Sequence, residues 1–233
     1  MSESTRLFRT FWEHPVGFLG LLMLVYGQYK GLFDSPSEAM MGDVARILYV
    51  HVPAAWLAML AFTLAFVGAL GFLVSRDTDM SWDWLVEAAC EVGVLLGVLL
   101  LILGSVFARP TWGTWWTWDP RLTASAVMVL TFVGVLLLRS VVDDPDRRAN
   151  WSAVATIMSF VSLPVTYYSV QWWRSMHQLQ SGNNAMSAEM REVLNLNALA
   201  FLLITVWFVA RRWRLAKALA EAELPEPLPA EVT

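Results

Sequence analysis

Six blocks of apolar residues, at about 16–29, 53–74, 84–108, 123–138, 152–170 and 194–210, constrain this chain more than any other feature. Several reach the roughly 20 residues that an α-helix needs to cross a hydrocarbon core about 30 Å thick. Their apolar residues come in runs, without the strict alternation of a half-buried strand. A soluble core has no need of so many such blocks, and the composition agrees, with 57% of residues hydrophobic and 15% charged. The sequence therefore predicts an all-α integral membrane protein with six transmembrane helices. The first block lacks a small-residue cleavage pattern and is read as a retained helix, not a signal peptide. Residues 1–217 are expected to form a single six-helix domain carrying a tryptophan-rich loop at 109–123. The prolines and glutamates of 218–233 suit a disordered tail.

A formal net charge of -4 offers no clustered positive field for nucleic acid. The one cysteine, Cys90, excludes an intramolecular disulfide, a CxxC redox pair and a CxxCH attachment motif, and it reads as a small buried residue. Orientation follows from Lys and Arg: ten fall on the side of the amino terminus, and six, Lys30, Arg46, Arg109, Arg121, Arg174 and Arg191, fall on the other. The positive-inside rule then places both termini in the cytoplasm. A further result needs no orientation. His51, the tryptophan cluster and His177 each follow an odd-numbered span, so all three share one membrane face, the periplasmic one by the charge count.

In "DSPSEAMMGDVARILYVHVPAAW", Ser35, Pro36 and Glu38 match a capping box with proline at the first helical position. A short helix is expected to start there, with Val44, Leu48 and His51 on one stripe, Arg46 beside it, and a break at Pro53 before the second span. His51 then lies at a membrane junction, either as a satisfied interfacial histidine or as a ligand or proton-transfer group. His177 lies in a second aromatic loop, "YYSVQWWRSMHQLQSGNN", while His14 reads as interfacial. Two neutral imidazoles with no thiolate or carboxylate cluster leave a tetrahedral zinc site incomplete, whereas a haem iron needs only two axial ligands. Its propionates would need cations, and Arg46, Arg121 and Arg174 share that face.

"TWGTWWTWDPRLT", residues 111–123, places Trp112, Trp115, Trp116 and Trp118 beside Asp119. An interfacial belt is the ordinary use of membrane tryptophan, and Trp82, Trp84, Trp151, Trp172, Trp207 and Trp213 keep that reading. The loop cluster differs: Gly113 loosens the backbone among the rings, and Asp119-Pro120-Arg121 supplies a turn and two opposite charges, as a binding platform requires. Glu87 and Glu91 fall at i and i+4 on one helical face, as a structural or subunit contact or as part of a polar pathway. Pro164 is expected to kink the fifth span, and Gly93, Gly97 and Gly104 to permit close helix approach in the third.

The tryptophan-rich stretch resembles the signature of the haem-handling proteins of cytochrome c biogenesis. The six-span length, with "HVPAAW" at His51 and "MHQ" at His177, is similar to the CcmC family, and the likeness covers essentially the whole chain. The resemblance implies non-covalent haem b held in transit by axial His51 and His177, its edge against Trp112, Trp115, Trp116, Trp118 and Asp119. Arg46 and Arg121 are expected to pair with propionates, and Asp119 to orient the tryptophan loop. It also implies delivery to the haem chaperone CcmE, whose own histidine bonds a haem vinyl group, and assembly with CcmA, CcmB and CcmD in the bacterial inner membrane. No P-loop is present, so this chain does not supply the complex's ATPase. A different reading, a six-helix transporter moving haem or another substrate by itself, would use Glu87, Glu91 and Pro164. A scaffolding subunit with no ligand is the third.

Overall fold

The computed structural model describes residues 13–75, 80–177 and 186–222, and within them the chain is all helical, with no strand and one isolated bridge between Glu38 and Gly42. Six helical stretches are long and apolar enough to cross a membrane: His14–Asp34, Asp43–Ser75, Ser81–Trp112, Pro120–Val141, Pro145–Trp172 and Ala188–Ala222. The α-helices are α1 (Glu13–Tyr29), α2 (Leu48–Ser75), α3 (Ser81–Trp112), α4 (Pro120–Val141), α5 (Pro145–Phe160), α6 (Ser162–Trp172) and α7 (Ala188–Ala222). The fifth span is thus two helices. Pro164 lacks the N–H that would bond the carbonyl four residues back, at Phe160, and the α-helix is interrupted at Val161.

Helices α2 and α3 form the centre, packed along each other and against α5 and α7, while α1 lies along α7. Apolar residues of α2, α3, α4, α5 and α7 make one buried cluster, in which Phe62 and Phe132 stack with ring centroids 3.8 Å apart. Gly93 faces the Phe62 ring and Gly97 faces Val129, so two of the third-span glycines occupy close helix approaches. Cys90 is fully buried in the same cluster. On α1, Phe18, Leu19, Leu22 and Val25 remain exposed, the lipid-facing character expected of an outer helix.

Aspartate followed by proline starts two of the helices. Asp119 caps α4 by accepting the Arg121 backbone N–H at 2.9 Å, and Asp144 caps α5 by accepting that of Arg147 at 2.8 Å, each with proline at the first helical position.

Three expectations need correction. No helix starts at Ser35: the Glu38 carboxylate accepts the Met40 and Met41 backbone N–H groups in a tight turn, the Ser35 hydroxyl bonds the Tyr49 hydroxyl, and helical structure resumes only with a 3₁₀ turn at Asp43–Ile47. Nor does Pro53 precede the second span, since it lies inside α2 as the sixth residue, where its missing N–H leaves the Tyr49 carbonyl without its i+4 helical donor. Helix α7 continues to Ala222, five residues into the segment read as tail, whose remainder lies outside the described residues.

The end of the bundle reached by the start of α3 and the last turns of α7 carries an ion network, buried at Arg139 and Asp83 and half-buried at Glu87, Glu91 and Arg212. Arg139 donates to Asp83 at 2.6 and 3.0 Å and to Glu87 at 2.8 Å; Arg212 donates to Glu87 at 2.8 Å and also to Glu91. Glu87 and Glu91 are therefore consumed in joining α3, α4 and α7. A charge taken from water needs such a partner.

Candidate functional site

At the opposite end, the start of α2, the end of α3, the start of α4 and α6 enclose a cavity of about 380 Å³, within the range of small-ligand sites. His51 and His177 both line it, although 126 positions separate them (177 minus 51). His51 enters from the first turn of α2 and faces α3 at Gly104, where a Cβ would stand 3.3 Å from its Cε1. His177 enters from the turn after α6, with Trp112 edge-on at 5.4 Å between ring centroids. The Nδ1 atom of each imidazole is buried and without a hydrogen-bond partner. An orphaned buried polar atom is uncommon and calls for an explanation, such as an absent ligand.

Around the histidines the lining is mostly apolar and aromatic, including Trp56, Met59, Trp116, Met128 and Tyr167, with Arg121 as its cation. The Arg121 guanidinium makes one long bond, 3.4 Å, to the Tyr167 carbonyl, which leaves donors for an anion. Arg46 is placed elsewhere: its side chain bonds the Asp43 carboxylate at 3.0 Å and the Gly31 carbonyl at 2.6 Å, and it does not line the cavity. Arg174 is exposed and does not line it either.

The tryptophans divide. Trp116 lines the cavity, and Trp112 touches His177. Trp115 is 58% exposed and Trp118 is 84% exposed, edge-on to Trp116 at 6.1 Å. Gly113 ends α3 in the left-handed region at φ 78°, which only glycine adopts without strain, and the Arg109 side chain holds its carbonyl. The Ser105 hydroxyl donates to the Trp115 carbonyl at 2.6 Å, and the Thr114 hydroxyl to the Trp116 carbonyl at 3.0 Å.

Asp119 is 6% exposed, and besides capping α4 it accepts the Ser175 hydroxyl at 3.0 Å and the Met176 backbone N–H at 2.7 Å. Burial raises its carboxyl, but these bonds and those from the Arg121 and Leu122 N–H groups outweigh it and hold the carboxyl below its ordinary range. His177 is pushed down to about 4 by burial and by the Arg121 guanidinium, against the opposing pull of Asp119. Its imidazole is therefore neutral at physiological pH, the state a metal ligand requires.

Sequence reasoning missed Trp56, Met59, Met128 and Tyr167, which sit on spans with nothing in their spacing to distinguish them from lipid-facing or core residues. Among the described residues, no three His, Cys, Asp or Glu side chains converge to hold a bare ion. What the site offers is two imidazoles, aromatic walls and one cation. That set suits a flat metal complex which brings its own equatorial ligands and carries anionic groups.

Comparison with known proteins agrees with this chemistry. The family model described as heme exporter protein C matches residues 3–224. The chain is 34% identical to heme exporter protein C of Bradyrhizobium diazoefficiens over 190 residues, covering 80% of this chain and 71% of that protein. It is 31% identical to that of Haemophilus influenzae, covering 89% and 85%, and 30% identical to that of Escherichia coli K12, covering 92% and 87%. From the match along nearly the whole chain, this protein belongs to the heme exporter protein C family.

Proposed function

We propose that this chain holds haem b, non-covalently and in transit, at the periplasmic face of the bacterial inner membrane and delivers it to the chaperone CcmE during cytochrome c maturation. The observation that carries this reading is the pair of half-buried imidazoles lining one aromatic cavity, each with a buried, unpartnered Nδ1. His51 and His177 are the axial ligands, and Arg121 is the cation for a propionate. Trp116 and Trp112 pack against the macrocycle, while the exposed rings of Trp115 and Trp118 present its edge to the incoming partner. Iron fixed on both faces leaves the porphyrin rim free, so a histidine of the chaperone can reach a vinyl carbon in a set orientation. The chain works with CcmA, CcmB and CcmD, and both termini face the cytoplasm.

The opposite-end network supports delivery over unaided transport: Glu87 and Glu91, the acids a polar pathway would need, are bound by arginines. Coexpression with the chaperone tests the function. A double His51→Ala, His177→Ala variant is expected to abolish covalent haem loading of the chaperone, and loading at wild-type level would refute the proposal.

A further inference from the structure

Among the described residues, the Asp119 carboxylate makes no bond to the tryptophan loop preceding it. The described bonds holding that loop come from Ser105, Arg109 and Thr114. The Asp119 carboxylate reaches instead to the turn after α6, 56 and 57 positions along the chain, where it accepts from Ser175 and Met176. The Ser175 oxygen in turn accepts the His177 backbone N–H at 3.0 Å. A continuous path thus runs from the start of α4 to the histidine. Both oxygens of one buried carboxylate are committed to it, Oδ1 to Ser175 and the α4 cap, Oδ2 to Met176.

We infer that Asp119 and Ser175 form a clasp that positions His177 as an iron ligand, and that Asp119 serves the histidine and not the rings. This rests on the haem-ligating reading above. The turn carries the ligand but has no helix to fix it; α6 stops at Trp172, and the described chain beyond runs through bends to His177. Charge-assisted bonds to a buried carboxylate supply that rigidity. Because the same carboxylate caps α4, which also carries Arg121, the axial ligand and the propionate cation are registered to one helix start. Asp119 and Ser175 are positioning residues: neither is placed to touch iron.

Ferric haem titrated into the purified protein in detergent tests this, comparing Asp119→Asn, Ser175→Ala, His177→Gly and, as a control away from the site, Gly134→Ala, where an added Cβ meets nothing within 4 Å. Asparagine keeps an acceptor for the α4 cap but cannot accept through both terminal atoms, and Ser175 caps no helix, so both variants spare the fold. Losing a partner that orients a ligand costs about 10–100-fold in affinity. Asp119→Asn and Ser175→Ala are expected to weaken haem binding by that factor and to convert part of the low-spin spectrum to high-spin. Millimolar imidazole should restore it, as for His177→Gly, while Gly134→Ala keeps the wild-type spectrum. In the haem-free protein, amide exchange at Met176 and His177 should accelerate in both clasp variants. Wild-type spectrum and affinity in both, with His177→Gly impaired, would overturn the clasp alone. An unchanged spectrum in His177→Gly would overturn the haem-ligating reading and the clasp with it.

Discussion

Adding a side chain at Gly104 tests the cavity where the wall formed by α3 faces His51. A Cβ there would stand 3.3 Å from His51 Cε1. Carbon atoms in ordinary contact lie about 3.5–4.0 Å apart, so alanine asks the imidazole to give by a few tenths of an ångström, and valine sends a branch further toward it. Overpacking of this kind costs about 1–3 kcal/mol. If the displaced group is an iron ligand, that cost appears as about 5- to 150-fold in Kd. Gly104→Ala is expected at the low end and Gly104→Val at the high end, read from Soret absorbance during haem titration. Two controls separate ligation from general damage. At Gly134 an added Cβ meets nothing within 4 Å, so Gly134→Val should leave both affinity and stability unchanged. At Gly93 it would fall 2.6 Å from the Phe62 ring, so Gly93→Ala should lower the unfolding temperature while the surviving protein keeps the wild-type spectrum. Wild-type affinity and spectrum in Gly104→Val would refute the reasoning, because a ring free to move aside without consequence is not holding iron.

Three further outcomes follow from other parts of the molecule. Arg139→Leu leaves buried Asp83 without either bond from Arg139, and is expected to cost about 3–5 kcal/mol in detergent unfolding. Adding Asp83→Asn should recover part of the loss, and an equal or greater loss in the double variant would contradict the pairing. With His177 at about 4 in the haem-free protein, haem affinity should stay flat from pH 7.5 to 5.5 and decline only as pH approaches that value. An ordinary imidazole near 6.5 would already have lost about tenfold at pH 5.5, and such a fall in the titration would contradict the burial of His177. Trp118→Ala should keep haem affinity and spectrum but lower covalent loading of the coexpressed chaperone by about 10-fold or more, the cost of an aromatic anchor at an interface. Unchanged loading on haem-stained gels would remove Trp118 from the docking face.

The spans were legible because lipid imposes one rule on every residue facing it, and a run of apolar side chains obeys that rule without help from tertiary contacts. Their order also brought His51, His177 and the tryptophans to one end of the bundle, which parity alone anticipates. Local signals were less reliable. Ser35, Pro36 and Glu38 have the spacing of a capping box, but Glu38 accepts from Met40 and Met41 and Ser35 is engaged by Tyr49, a contact made only once the first loop folds back on α2. Pro53 looked like a boundary, yet α2 begins before it, which moved His51 from the expected short helix of the first loop into the second span, facing Gly104. Arg46 had the right charge on the right face and was taken by Asp43 and Gly31. Long-range pairs were beyond spacing altogether: nothing near Asp119 names Ser175, and nothing near Glu87 names both Arg139 and Arg212. Position and charge nominate a residue, but the shortest available partner decides what it does.

Two histidines from separate turns sharing one iron is the claim from which the rest follows, and low-temperature electron paramagnetic resonance of the ferric haem-loaded protein addresses it directly. Ligation by both imidazoles predicts a low-spin bis-imidazole signal in the wild type. It predicts high-spin iron in each of His51→Ala and His177→Ala, and return of the low-spin signal in each when free imidazole is added. A low-spin signal that survives unchanged in either single variant would contradict it.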